Sequence, residues 1–116
     1  MVYLTNFLEE TKAVLKRIGR TTKDVISVGT PEHRISWEDF EKLANFRYDG
    51  GYGHQVINEN LKVYGKDFIL YRAEYDGSEW WEFIYLLDDY SPNTNKIKIQ
   101  RYFTDESDFE SDEDGE

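Results

Sequence analysis

The sequence predicts an α+β domain in which two helices pack on one face of a four- to five-stranded, mainly antiparallel sheet, followed by an acidic C-terminal tail. Three observations lead to this fold class. Apolar residues recur at helical spacing in two segments of the first half, and from Val56 onward the apolar period changes to two. The dipeptide Asp76-Gly77 stands between two alternating runs and indicates a β-hairpin.

The two helices are predicted from their capping signals and apolar stripes. The first is expected to run from Asn6 to Ile18, because Asn6 and Glu9 resemble a capping box and Gly19 stands where a helix ends. The second is expected to begin after Ser36, a residue type that often caps helix N-termini, and to continue through an amphipathic stretch.

Short strands are predicted between and after the helices. They are Val25–Val28, Val56–Ile57, Leu61–Tyr64, Asp67–Tyr75, Glu79–Leu87 and Ile97–Phe103. We expect residues 1–103 to form a single domain. Residues 104–116 are too charged and too poor in large apolar groups to fold alone, so we expect a disordered tail.

The hairpin register determines where the adjacent tryptophans Trp80 and Trp81 point. With Asp76-Gly77 as a two-residue turn, they lie on opposite faces of the sheet. The predicted pairs are Tyr75–Ser78, Glu74–Glu79, Ala73–Trp80, Arg72–Trp81, Tyr71–Glu82, Leu70–Phe83, Ile69–Ile84 and Phe68–Tyr85. We expect Trp80 in the core under the helices and Trp81 half-exposed beside Arg72 in a cation–π pair.

Two interpretations of Trp81 remain open. It packs under a loop such as YDGGYG, or it belongs to a binding face, because exposed tryptophan, tyrosine and arginine are frequent at interface hot spots. On the second interpretation, the predicted contact residues are Trp81, Arg72, Glu74, Glu79, Asp76 and Tyr52.

The net charge of −10 is mostly a property of the tail. Eight acidic residues and no basic ones lie between Thr104 and the C-terminus, which leaves 16 acids against 14 bases in the first 103 residues. The tail acids are Asp105, Glu106, Asp108, Glu110, Asp112, Glu113, Asp114 and Glu116.

Three interpretations of the tail stay open. It is a solubilising appendage, a mimic of nucleic acid, or a kinase substrate at Ser107 and Ser111. It is also hypothesised to fold over Lys96 and Lys98.

Composition argues against several kinds of chemistry. The chain has no cysteine, which excludes disulfides and thiolate nucleophiles. Its two histidines, His33 and His54, have poor metal-ligand spacing, and the glycine-rich loop YDGGYG follows a predicted helix instead of a strand. We expect no cofactor, no metal and no catalysis.

No segment is apolar enough to span a membrane and the N-terminus lacks a signal layout. We therefore expect a cytoplasmic protein that binds neither membranes nor nucleic acid directly. It is expected to be a monomer or a homodimer.

The middle third of the chain, FRYDGGYGHQVINENLKVYGKDFILYRAEYDGSEWWEF, resembles a pattern found in small phage-encoded accessory proteins. In that pattern a Tyr-Asp-x-Gly-Tyr-Gly loop precedes a short strand, an aromatic strand and Arg-x-Glu-Tyr-Asp-Gly-Ser-Glu-Trp-Trp-Glu. The matching residues are Tyr48, Asp49, Gly51, Tyr52, Gly53, Arg72 and the run from Glu74 to Glu82. Proteins of this type are similar in size and context to inhibitors of bacterial defence, including anti-CRISPR proteins.

The resemblance implies an inhibitor that binds a host protein, such as a CRISPR effector or another nucleic-acid-binding protein. It would act sterically or as a nucleic-acid mimic at a cationic site. Two alternatives stay open: an immunity protein or antitoxin that neutralises a basic toxin, and a small hydrolase or nucleotide-binding enzyme at the YDGGYG loop.

Overall fold

The computed structural model describes residues 4–51, 53–93, 97 and 99–100. The chain divides into two units, Met1–Leu86 and Leu87–Glu116, and every described helix and strand belongs to the first. In chain order they are β1 (Thr5–Asn6), α1 (Phe7–Arg17), a 3₁₀ turn (Thr22–Asp24), β2 (Val25–Gly29), β3 (Arg34–Ile35), α2 (Trp37–Ala44), β4 (Arg47–Tyr48), β5 (Lys62–Gly65), β6 (Phe68–Tyr75) and β7 (Ser78–Tyr85). The predicted α+β class is confirmed.

The main sheet has five strands in the order β3-β2-β5-β6-β7, and all neighbouring strands are antiparallel. The short strands β1 and β4 form a separate antiparallel pair. Because α2 lies in sequence between β3 and β4, the chain leaves the sheet after β3 and returns at β5, beside β2.

Both helices begin at the predicted caps. The Asn6 side chain accepts a hydrogen bond from the Glu9 amide at 2.9 Å, and the Ser36 hydroxyl accepts one from the Asp39 amide at 3.1 Å. Each cap satisfies an amide that has no partner inside its helix. The start of α1 is also tied to the segment that follows α2, because the Phe7 amide donates to the Phe46 carbonyl at 2.8 Å.

One core joins the two helices to one face of the sheet, here called the inner face. α1 and α2 contribute their apolar stripes, and the central strands contribute alternate residues. The most completely buried large side chains are Trp81, Phe7, Phe68, Leu15, Leu70, Val28 and Val63. Helices on one face and solvent on the other is the usual arrangement of an antiparallel α+β sheet.

The predicted hairpin register is confirmed pair for pair. Asp76 and Gly77 both have positive φ, 52° and 88°, as a type I′ turn requires. A Cβ on Gly77 would collide with the carbonyl oxygen of Gly53, so the glycine also lets the loop after β4 approach the turn closely.

The predicted placement of the two tryptophans is wrong, although their register is right. Trp81 is 1% exposed in the core, whereas Trp80 is 36% exposed on the opposite face. The prediction assumed that the charges of Arg72 and Glu79 require their face of the hairpin to be exposed to solvent. Instead, they form an ion pair in the interior, which allows the face that carries them to pack under α1.

Two of the predicted strands are not present in the residues that the structure describes. Val56 and Ile57 lie in a loop, because their amides donate to the Glu79 carboxylate instead of to a neighbouring strand. Ile97, Ile99 and Gln100 are described without strand structure. The rest of the segment predicted as Ile97–Phe103 and the acidic tail lie outside the described residues.

None of the described helices combines the length and the apolar character that crossing a membrane requires.

Candidate functional site

A buried charge network lies between α1 and the inner face of the hairpin. Arg72 donates through Nη2 to Glu79 Oε1 at 2.9 Å and to the Tyr48 hydroxyl at 3.0 Å. Its Nη1 lies 3.5 Å from Glu10 Oε2, and the Arg72 and Glu79 side chains are completely buried. The Nε and Nη1 atoms of Arg72 have no hydrogen-bond acceptor among the described residues. The guanidinium therefore depends on its two carboxylates for compensation.

Aromatic rings complete the surroundings of Arg72. Its guanidinium lies 4.8 Å from the centre of the Trp81 ring and 5.2 Å from that of Phe7. The predicted Arg72–Trp81 cation–π pair thus exists, but it lies in the interior, where desolvation strengthens it.

Glu79 also fixes the loop that follows β4. Its carboxylate accepts hydrogen bonds from the amides of Val56 at 2.5 Å and Ile57 at 3.2 Å, in addition to the bond from Arg72. The Glu79 amide donates to the Gly50 carbonyl at 2.6 Å. One side chain therefore ties the loop, β6 and β7 together, which is a structural role.

The pKa of the Tyr48 phenol is raised well above its usual value, because burial disfavours the phenolate and the hydroxyl donates to Glu10. A group whose pKa is higher in the folded state adds stability below its unfolded pKa and loses it as the pH rises. We expect the free energy of unfolding to fall above about pH 10, with this group contributing up to about 1.4 kcal/mol per pH unit.

Tyr48→Phe should flatten that fall. The measurement is urea unfolding of both chains at intervals between pH 8 and pH 11, with Tyr75→Phe on the exposed surface as the control. Equal slopes for wild type and Tyr48→Phe would contradict the assignment.

The structure separates the residues predicted as partner contacts. Trp81, Arg72 and Glu79 lie in the interior, at 1%, 7% and 5% exposure, and so cannot contact a partner while the domain is folded. Glu74 and Asp76 are exposed at the hairpin tip, where the Glu74 carboxylate accepts a hydrogen bond from the Gly77 amide at 2.8 Å. Tyr52 and the tail acids lie outside the described residues.

The face of the hairpin turned away from the helices, here called the outer face, carries a different group of aromatic and apolar side chains. Its members on β6 and β7 are Ile69, Tyr71, Ala73, Tyr75, Ser78, Trp80, Glu82 and Ile84. Of these, Tyr71, Tyr75, Trp80 and Ile84 are exposed. The solvated face of an antiparallel sheet is usually polar, so this concentration of large apolar groups marks the outer face as a candidate interaction surface.

Two hydrophilic groups are positioned on the outer face. Trp80 donates through its indole N–H to the Glu82 carboxylate at 2.7 Å. Lys62 on β5 pairs with Tyr71, which in turn pairs with Glu82 on β7, so Lys62 and Glu82 lie on either side of Tyr71. Glu82 makes no ion pair with a described residue.

A second candidate surface is an apolar groove with a cavity of about 390 Å³ between α2, β2, β3 and the loop after β4. Val28 and Phe40 are buried within it, and Leu43, Phe46 and Val56 are exposed. Its polar lining residues are Thr30, His33 and Asn58. The volume is within the range of small-ligand pockets, but the lining offers few convergent polar groups.

The described residues contain no group of three or more histidine, aspartate or glutamate side chains that would hold a metal ion. The glycine-rich loop directly follows β4, whereas the sequence predicted that it follows the second helix. It packs on the hairpin turn, where Ser78 donates to the Gly51 carbonyl at 3.1 Å, instead of opening a helix. Gly53 has a positive φ of 91°, and a Cβ on Gly50 would collide with the Tyr48 ring, so both glycines have a conformational explanation that involves no phosphate.

Sequence reasoning missed Tyr71 and Glu82. The register placed both residues on the same face as Trp80, so the signal was present, but that face was assigned to the core. No protein-family model, curated protein or solved structure matches the chain, so the resemblance to phage accessory proteins stays a prediction.

Proposed function

We propose that this chain is a non-catalytic, phage-encoded inhibitor of a bacterial defence system. It binds a host effector protein at a cationic or nucleic-acid-binding site and blocks that site. The observation that carries the proposal is the outer face, where Tyr71, Trp80 and Ile84 are exposed together on rigid strands.

The outer face has the properties of a protein-binding surface. Tryptophan and tyrosine dominate interface energetics because each buries a large area at small entropic cost. Trp80 is also held in place by its hydrogen bond to Glu82, so little ordering is needed on binding. These side chains stand on two eight-residue strands of one hairpin, which gives the surface a fixed shape.

Charge supports a cationic partner. The net charge of −10 accelerates encounter with basic surfaces, and Glu74 and Asp76 add exposed carboxylates at the hairpin tip. The sites at which defence effectors hold nucleic acid are basic, because they neutralise phosphates. An acidic inhibitor with an aromatic contact face is suited to occupy such a site.

A plating assay tests the proposal. The chain is expressed in a panel of host strains, each carrying one defence system directed against a plated phage. We expect the wild-type chain to restore plating in at least one strain and Trp80→Ser to lose most of that effect. Truncation of a hot-spot residue costs about 2 kcal/mol or more, which is roughly a 30-fold loss of affinity.

Leu43→Ser is the matched control, because Leu43 is also a large, exposed apolar residue but lies at the apolar groove. It should keep full protection, and thermal unfolding of both variants should show intact folds. No restored plating in any strain would overturn the proposed function. Loss of protection in Leu43→Ser, but not in Trp80→Ser, would move the contact surface to the groove.

A further inference from the structure

We propose that Trp80 and Glu82, with Tyr71 beside them, bind an arginine side chain of the partner protein. The inference rests on the proposed function and names the chemical group that the outer face recognises. An arginine guanidinium stacks on an aromatic ring and donates in a planar fork to a carboxylate, which lysine does not do.

The inner face of the same hairpin already contains such a site. Trp81 and Glu79 are two residues apart on β7, and Arg72 stands opposite Trp81 on β6. The guanidinium lies 4.8 Å from the Trp81 ring centre and donates to Glu79 at 2.9 Å. Tryptophan and glutamate at this spacing on β7 thus bind a guanidinium within this fold.

The outer face carries the same two residue types in the reverse order along β7, with the tryptophan nearer the turn, and it has no arginine opposite the tryptophan. Trp80 and Glu82 are also two residues apart on β7, and the residue opposite Trp80 is Ala73. Side chains directly opposite each other in an antiparallel pair have Cβ atoms about 4.5–5.5 Å apart. The Ala73 methyl group therefore leaves room beside the Trp80 ring where the inner face has Arg72.

A second cluster in the chain shows the same combination. Arg20 lies 5.3 Å from the centre of the Tyr85 ring and forms two hydrogen bonds to the Asp67 carboxylate, at 3.0 and 2.9 Å. Among the described residues, arginine therefore meets an aromatic ring and a carboxylate twice. The Trp80–Glu82 pair has the ring and the carboxylate without a described cation.

Glu82 is oriented for this role. Its Oε2 accepts from the Trp80 indole at 2.7 Å, which aligns the carboxylate with the edge of the ring. Lys62 lies two strands away across Tyr71, or about 9–10 Å in backbone spacing, so it does not neutralise Glu82 directly. The positive charge of Lys62 repels a second cation on the β5 side of Tyr71. The partner's arginine therefore approaches from the β7 side.

Nuclear magnetic resonance of the full-length ¹⁵N-labelled chain tests the inference, with octa-arginine as the probe. The chain has three indole N–H groups, of which Trp37 and Trp81 are buried. We expect saturable movement of the Trp80 indole resonance only, and a smaller movement with octa-lysine. Because only indole resonances are followed, probe bound elsewhere on the acidic chain does not give this signal.

Glu82→Gln and Glu38→Gln form a matched pair, because each removes one negative charge from an exposed or half-exposed position. Glu82→Gln should weaken the binding seen at the Trp80 indole at least tenfold, whereas Glu38→Gln should leave it within about twofold. Equal weakening by both variants, or an indole that does not move, overturns the inference.

The two proposals fail separately. If Trp80→Ser loses protection in the plating assay but the Trp80 indole ignores octa-arginine, the inhibitor function stands and the arginine site is wrong. If the indole responds and Trp80→Ser still protects, the site binds arginine but the proposed use of the outer face is wrong.

Discussion

Replacing Glu79 with alanine is expected to lower the free energy of unfolding by about 3–5 kcal/mol, because it leaves a buried charge without its partner. Arg72 would lose its 2.9 Å ion pair and would keep only the looser contact with Glu10 and the bond to Tyr48. The amides of Val56 and Ile57 would lose their acceptor at the same time. Denaturant unfolding followed by circular dichroism measures the loss.

Glu74→Ala is the matched control for this prediction. Glu74 pairs with Glu79 across the hairpin, but it is exposed, and among the described residues its carboxylate accepts a hydrogen bond only from the Gly77 amide. We expect its replacement to cost about 1 kcal/mol or less. A Glu79→Ala variant that is as stable as Glu74→Ala would show that the buried network does not hold the hairpin to the loop.

A double-mutant cycle separates the ion pair from the loop contacts. Arg72→Met replaces the guanidinium with an apolar side chain, and the double variant Arg72→Met with Glu79→Ala contains neither member of the buried ion pair. Glu10 loses its contact with Arg72 in both variants that carry Arg72→Met, so that loss cancels in the cycle. We expect the double variant to lose less stability than the sum of the single variants, by about 1–3 kcal/mol. Strict additivity would contradict a direct interaction between Arg72 and Glu79.

Local signals predicted much of this fold. The two helix caps at Asn6 and Ser36 and the turn at Asp76-Gly77 depend on a few neighbouring residues, and all three are as expected. The eight pairs of the hairpin followed from the turn alone. Sequence is informative at this level because capping and turn chemistry act over short distances along the chain.

The orientation of the hairpin was not predictable in the same way. The buried charge of Arg72 is stabilised in part by Glu10 and Tyr48, which lie 62 and 24 residues away in the chain. No local sequence pattern predicts those contacts. One signal was present, since Arg72 and Glu79 are diagonal neighbours on the same face in the predicted register. If Arg72 and Glu79 are interpreted as an ion pair, and not as two separately solvated charges, the face that carries them is correctly predicted to be buried.

The candidate site changed for the same reason. Three of the six predicted contact residues are interior because they belong to the network or pack against it, namely Trp81, Arg72 and Glu79. The residues now favoured, Trp80, Tyr71 and Glu82, are their counterparts on the other face of the same strands. Because side chains alternate between the two faces of a strand, the inner-face and outer-face residues exchange their burial together. One error in the orientation of the hairpin therefore changed the predicted contact residues as a group.

Replacing Trp81 with alanine is expected to cost about 3–5 kcal/mol of unfolding free energy, which is typical when a buried large aromatic side chain is removed from a core. The ring stacks on Phe7 with centres 5.6 Å apart, and its indole N–H donates to the buried Thr11 hydroxyl at 2.8 Å. Its loss also removes the nearest aromatic face from the Arg72 guanidinium. Denaturant unfolding of the purified chain measures the change.

Trp80→Ala is the matched control, since it removes the same ring from the adjacent position on the other face. It should cost about 1 kcal/mol or less, because the ring is exposed and its side-chain hydrogen bond goes to the half-exposed Glu82. If Trp81→Ala does not fold, Trp81→Phe keeps the apolar ring and removes the bond to Thr11, at an expected cost of about 1–3 kcal/mol. A larger loss for Trp80→Ala than for Trp81→Phe would reverse the assignment of the two faces, and the outer face would then lose its claim to be the binding surface.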